Sequence, residues 1–117
     1  MDDFTEMVLD LMDDPEVNAK RMFGGVGFFR EGLMFALIAW EELYLKVDAE
    51  SEAEFEALDL EPFVYEKKDG KQGVMSYRKA PPEALDSPPV MREWCDKAFA
   101  AACRADAAKP ASKRKRR

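Results

Sequence analysis

Between Glu31-Gly32 and Glu41-Glu42 runs Leu33 to Trp40, eight residues without one polar side chain. The run is far short of the ~20 apolar residues that span a bilayer. Bracketed by turn signals, it reads as a strand. Strict alternation sends Leu33, Phe35, Leu37 and Ala39 to one side and Met34, Ala36, Ile38 and Trp40 to the other. Both sides are apolar, whereas an antiparallel strand with one wet face alternates apolar with polar. The chain must therefore cover both faces of a sheet, with its own helices or with a second molecule.

The surrounding segments supply the rest of the sheet. Met22 to Phe29 is rich in aromatics and glycine and reads as one strand with a bulge or close backbone approach near Gly24, Gly25 and Gly27. Glu31-Gly32 is a hairpin turn of the Asp-Gly type. Leu43 to Val47, Phe63 to Lys67 and Gly73 to Arg78 are further strands, the last two joined at Lys68-Asp69-Gly70-Lys71. Before them, Phe4, Met7, Val8 and Leu11 recur at helical spacing behind Asp3 and Glu6, an N-cap and capping-box acid, and a short turn follows around Glu16 to Lys20. Ser51 with Glu54 opens a short second helix, and Ser87-Pro88 opens a long third one to about Ala108. The order is α-β-β-β-α-β-β-α. It predicts an α+β domain, a two-layer sandwich with a five-stranded antiparallel sheet and helices on one face. A homodimer is expected through the open face or an edge of it, with Met34, Ile38 and Trp40 at the interface.

At 117 residues the chain is one domain, placed at 1–108 with a disordered basic tail at 109–117. Charge divides at nearly the same point. Residues 1–103 hold 11 Lys/Arg against 23 Asp/Glu, a balance of −12, and residues 104–117 hold seven against one, a balance of +6. The body repels nucleic acid. Lys113, Arg114, Lys115, Arg116 and Arg117 are the candidate contacts to DNA or RNA phosphates. Tyr44 and Lys46, Tyr65 and Lys67, and Met75 and Tyr77 each share a strand face. If those faces coincide they make one aromatic and basic surface.

The chain has no histidine, which removes Ser-His and Cys-His nucleophiles and His-ligated metals. Cys95 and Cys103 lie eight apart in one helix, a rise of about 12 Å, too far for a disulfide. Lys20-Arg21 lacks the helix N-terminus that completes an anion site. The acid pairs Asp2-Asp3, Asp13-Asp14 and Glu41-Glu42 read as solvated surface. No enzyme, cofactor or metal is expected. The acidic start Met1-Asp2-Asp3 is unlike a signal peptide, and no run is long enough to cross a membrane, so a cytoplasmic protein is expected.

The segment Arg21-Met22-Phe23-Gly24-Gly25-Val26-Gly27-Phe28-Phe29-Arg30-Glu31-Gly32-Leu33-Met34-Phe35 resembles the opening motif of the TfoX (Sxy) N-terminal domain family. The likeness continues through Glu42 to Asp48, Glu61 to Tyr65 and Met75-Ser76-Tyr77, and closes at Ala80-Pro81-Pro82-Glu83-Ala84-Leu85. It implies a bacterial protein with a fold like that of the type III secretion chaperones, which dimerise. The family's named members co-regulate transcription of genes for natural competence, so the resemblance implies a regulatory or adaptor module with a protein partner in transcription. It attaches no catalytic residue to the motif. Two departures stand out. The full-length regulators carry a second, helical C-terminal domain where this sequence has a short basic tail, and Trp40-Glu41 stands where the family has a plain turn.

Overall fold

The turn chemistry read from the sequence sets the hairpins of the computed structural model, which describes residues 2–22 and 24–115. Glu31 and Gly32 both adopt positive φ, 52° and 78°. That is the two-residue turn whose twist matches the flanking strands. It joins strand β2 (Gly25–Arg30) to β3 (Leu33–Ala39). Gly70, at φ 83°, closes the turn between β5 (Pro62–Glu66) and β6 (Gln72–Lys79).

The sheet has six antiparallel strands in the order β1-β2-β3-β4-β6-β5, where β1 is Asn18–Met22 and β4 is Glu42–Lys46. The count of five from the sequence is corrected by β1. The segment expected to be a turn and the start of the glycine-rich strand form a separate edge strand, paired from Asn18↔Phe29 to Met22↔Gly25. Asn18-Ala19-Lys20-Arg21 shows little of the apolar alternation that marks a strand. Pairing with the neighbour, not propensity, makes it one.

Three helices lie on one face: α1 (Asp3–Met12), α2 (Glu52–Ala57) and α3 (Pro88–Ala107). The main core joins them to the sheet, with Val8, Phe55, Met91 and Cys95 against Phe28, Phe35, Leu43 and Leu45. α1 is capped one residue earlier than expected: the Thr5 N–H donates to Asp2 Oδ1 at 2.8 Å. The helix is also rotated from its expected stripe. Thr5, Val8 and Met12 are buried while Met7 is exposed. Ser51 makes no cap bond into α2. Its hydroxyl accepts from the Asp48 N–H at 3.0 Å while its own N–H donates to Asp48 Oδ1 at 3.1 Å. α3 begins as read, with Ser87 as N-cap and prolines in the first turn. Arg30 pins the loop after α1, reaching Asp14 Oδ2 at 2.8 Å, and lies 4.7 Å over the Phe99 ring.

A bulge breaks the alternation of β3. Phe28 pairs with Ala36 but Phe29 with Met34, which leaves Phe35 as the extra residue. Ala36 and Ile38 are thereby returned to the helix side, where Leu33 and Phe35 already sit. Met34, Leu37 and Ala39 face the other way, in a second cluster made only of strand residues.

Candidate interaction face

The face away from the helices is built by the register. Cross-strand partners share a face. Phe29 lies opposite Met34 and Gly27 opposite Leu37. Leu37 lies opposite Tyr44, Lys46 opposite Tyr77, and Phe63 opposite Met75. The three strand faces carrying Tyr44 and Lys46, Tyr65, and Met75 and Tyr77 therefore do coincide. Lys67 falls past the end of β5.

Large side chains lie flat on this face and bury part of it. Leu37, Tyr44, Phe63 and Tyr77 form the second cluster, with Met34 and Ala39 packed against it. Tyr77 reaches across β4 so that its hydroxyl donates to the Met34 carbonyl at 3.2 Å, beside the bulge. Burial pushes the Tyr77 phenol well above the ordinary tyrosine range, so it stays a donor. Burial raises Tyr44 in the same way and lowers Lys46, whose ammonium lies 5.3 Å over the Tyr77 ring. Lys79 is held charged by Glu42 and then Glu61. Two glycines leave the room that these side chains need. A Cβ at Gly27 would meet the Met34 and Met22 sulfurs at 2.8 and 3.1 Å, and one at Gly73 would meet the Tyr65 ring at 2.5 Å.

One corner stays uncovered. Trp40 stacks on Phe63 with centroids 5.3 Å apart and planes at 20°, yet is 68% exposed. Tyr44 meets the same Phe63 edge-on at 5.0 Å, and Tyr65 and Met75 are exposed beside it. Trp40 and Glu41 are the central residues of the β3–β4 turn, at φ 52° and 60°. Bulky residues avoid this left-handed region. A turn usually given to Asn-Gly here carries an indole, and a strained turn holding an exposed ring is typical of surfaces that bind. The sequence reading put Trp40 at the end of the strand; its exposure was visible only once the turn was.

Beside this corner runs an apolar groove of about 500 Å³, lined by Met22, Met34, Trp40, Phe63, Tyr65 and Met75 among others. At the sheet end it shares Trp40, Ala39 and Gly25 with a second, wider cavity to which Asp2, Asp3, Glu41 and Arg21 contribute.

The three residues expected at a dimer interface do not share a face. Met34 is on the open face, Ile38 is 6% exposed on the helix side because of the bulge, and Trp40 is in the turn. Of the tail, Ala111–Lys113 form a 3-10 turn, and the Lys115 N–H donates to Oδ1 of the buried Asp106 at 2.9 Å. Lys113, Arg114 and Lys115 are exposed there; Arg116 and Arg117 lie outside the described residues. Among the described residues no group of His, Cys, Asp or Glu is placed to hold a metal ion, and no helix is long and apolar enough to cross a membrane. Cys95 is buried, and its thiol is pushed up to about 12 by that burial, so it is not a reactive thiolate.

Residues 10–102 match the family model of the TfoX N-terminal domain. The chain is also similar to the DNA transformation protein TfoX1 of Aliivibrio fischeri, with 45% identity over 51 residues. That match covers 44% of this chain and 24% of the relative, so it spans about a quarter of the relative's length.

Proposed function

From the premise that the chain belongs to the TfoX N-terminal domain family, we propose that it is a regulatory or adaptor module working by protein–protein contact in the control of genes for DNA uptake. The open face of the sheet is its contact surface. A relative named as a DNA transformation protein supports the process. One observation carries the mode of action: an exposed Trp40 held on Phe63 by a strained turn, beside an apolar groove on a face that none of the described helices covers. Exposed aromatic anchors of this kind carry the binding energy of protein interfaces. The proposal assigns no reaction to the chain.

The test is made in the host. Deleting the gene should lower transcripts of the DNA-uptake genes and the frequency of transformation. Trp40→Asn and Met75→Lys, expressed at the normal level, should reproduce the deletion. Unchanged transcripts in the deletion strain would remove the regulatory reading, and full complementation by both variants would remove the open face from it.

A further inference from the structure

The groove at the Trp40 corner has two chemistries in sequence, and together they specify what fits it. Its walls are thioether and aromatic: Met22, Met34 and Met75 with Trp40, Phe63 and Tyr65. Methionine-lined surfaces adapt to apolar side chains of differing shape. They typically receive one face of an amphipathic segment. At the end of the sheet the apolar walls give way to carboxylates. The adjoining cavity takes Asp2, Asp3 and Glu41 against a single Arg21. Glu42, next in sequence to Glu41, and Glu61 hold Lys79 at 3.9 and 3.5 Å. The body behind this rim has a balance of −12 over residues 1–103.

We propose that the groove binds a basic amphipathic segment of a partner protein, with apolar side chains along one face and Lys or Arg at the end that enters the acidic cavity. Complementary charge sets which partner is accepted and speeds its arrival. A single-stranded nucleic acid could stack on Trp40, but its phosphates would meet Asp2, Asp3 and Glu41. A second copy of this chain would bring two such rims together, and like charges across an interface oppose pairing. The basic segment is the occupant that both the walls and the rim favour. This inference rests on the reading of the open face as a contact surface and adds the class of its partner.

The test uses the full chain and a fluorescently labelled amphipathic helical peptide of leucine and lysine, with a leucine–glutamate peptide of the same pattern as its opposite. Anisotropy should show saturable binding of the leucine–lysine peptide and none of the leucine–glutamate peptide. Trp40→Asn, a residue suited to the left-handed turn, and Met75→Lys, at an exposed edge, should each weaken binding at least tenfold. Glu83→Gln, an acid on the exposed turn before α3, should leave it unchanged. Equal affinity for both peptides would overturn the charge argument. Equal affinity in Trp40→Asn, Met75→Lys and the parent chain would mean diffuse attraction to the acidic body and overturn the site. Light scattering on the same samples covers the remaining occupant: a dimer that Trp40→Asn splits would assign the face to a second copy and overturn the proposal. If neither peptide binds but the host variants still lose transcripts, the partner class is wrong while the contact reading stands.

Discussion

Two glycines of one strand carry different burdens. A Cβ at Gly25 would lie 2.1 Å from the Ile38 carbonyl oxygen, which is backbone and cannot step aside. At Gly27 the obstacles are the sulfurs of Met34 and Met22 and the edge of Phe29, ends of side chains that can turn. Gly25→Ala should therefore cost about 3 kcal/mol or more and Gly27→Ala about 1 kcal/mol, since overpacking is expensive only where nothing can relax. Urea unfolding of the two variants checks the order, and a larger loss at Gly27 would contradict it. Tyr77 gives a second test at this scale. Its hydroxyl supports the Met34 carbonyl beside the bulge, so Tyr77→Phe should lose about 1 kcal/mol and keep the same fold. Burial raises the phenol, so the bond itself survives as pH passes the ordinary tyrosine value of about 10. The unfolded chain's tyrosine ionises there, so stability should fall from about pH 10 upward, and urea unfolding of Tyr77→Phe should show a smaller fall. Much of this was legible in the sequence as residue type. The glycines of residues 24–27 announced a close backbone approach, and Gly25 has one. Trp40 did not announce itself, because a tryptophan at positive φ contradicts its own preference and only the finished hairpin demands it.

Elements were legible where turn chemistry or caps mark their ends, and not where pairing alone defines them. Glu31-Gly32, Asp69-Gly70 and Ser87-Pro88 set two hairpins and α3 as read. The edge strand Asn18–Met22 has no signal of its own, and the bulge at Phe35 is a property of two strands together, so alternation along one strand sent Ile38 to the wrong face. Ser51 likewise carries a capping-box signature but spends its hydroxyl on the Asp48 N–H. That loop ties α2 to α3 through Arg104, whose Nη2 donates to Asp48 Oδ1 at 3.0 Å. The Arg104 guanidinium, with help from the Ser51 N–H, holds the Asp48 carboxyl at about 2, below its ordinary 3.8. A depressed carboxylate stabilises the fold above its ordinary value and loses that contribution as pH falls through the folded one. The window is thus from roughly pH 4 down to about 2. In Arg104→Gln the Asp48 titration, followed by carboxyl-carbon NMR, should rise toward 3.8 without reaching it, because Ser51 still donates. Part of the acid-induced loss of stability should vanish with it. An unmoved titration would give the control to Ser51 instead.

For the whole molecule, the sequence already held the two facts that matter: a sheet apolar on both faces, and a charge that changes sign near residue 104. The structure spends the first on a core beneath the helices and a groove on the open side. The second leaves an acidic body joined to a basic tail, and the two ends should answer to different partners. The acidic corner suits a basic protein segment; the tail suits phosphates. Lys113, Arg114 and Lys115 project from a turn held at Asp106 through the Lys115 backbone, with one exposed side-chain bond in which Arg114 Nε donates to the Lys109 carbonyl at 2.9 Å. This dictates the variant to make. Cutting the chain at Ala108 would also remove the hydrogen bond to a buried carboxylate, whereas changing residues 113–117 to Gln keeps that backbone bond and removes the charge together with one exposed bond from Arg114 to the Lys109 carbonyl. The parent chain should bind duplex DNA without sequence preference, and log Kobs should fall against log salt with a slope of about −4.5, as expected for about five neutralised phosphates. The Gln-substituted chain should show neither binding nor slope, with unchanged urea unfolding and unchanged affinity for the leucine–lysine peptide. Binding that persists with the same slope would remove residues 113–117 as the phosphate contacts.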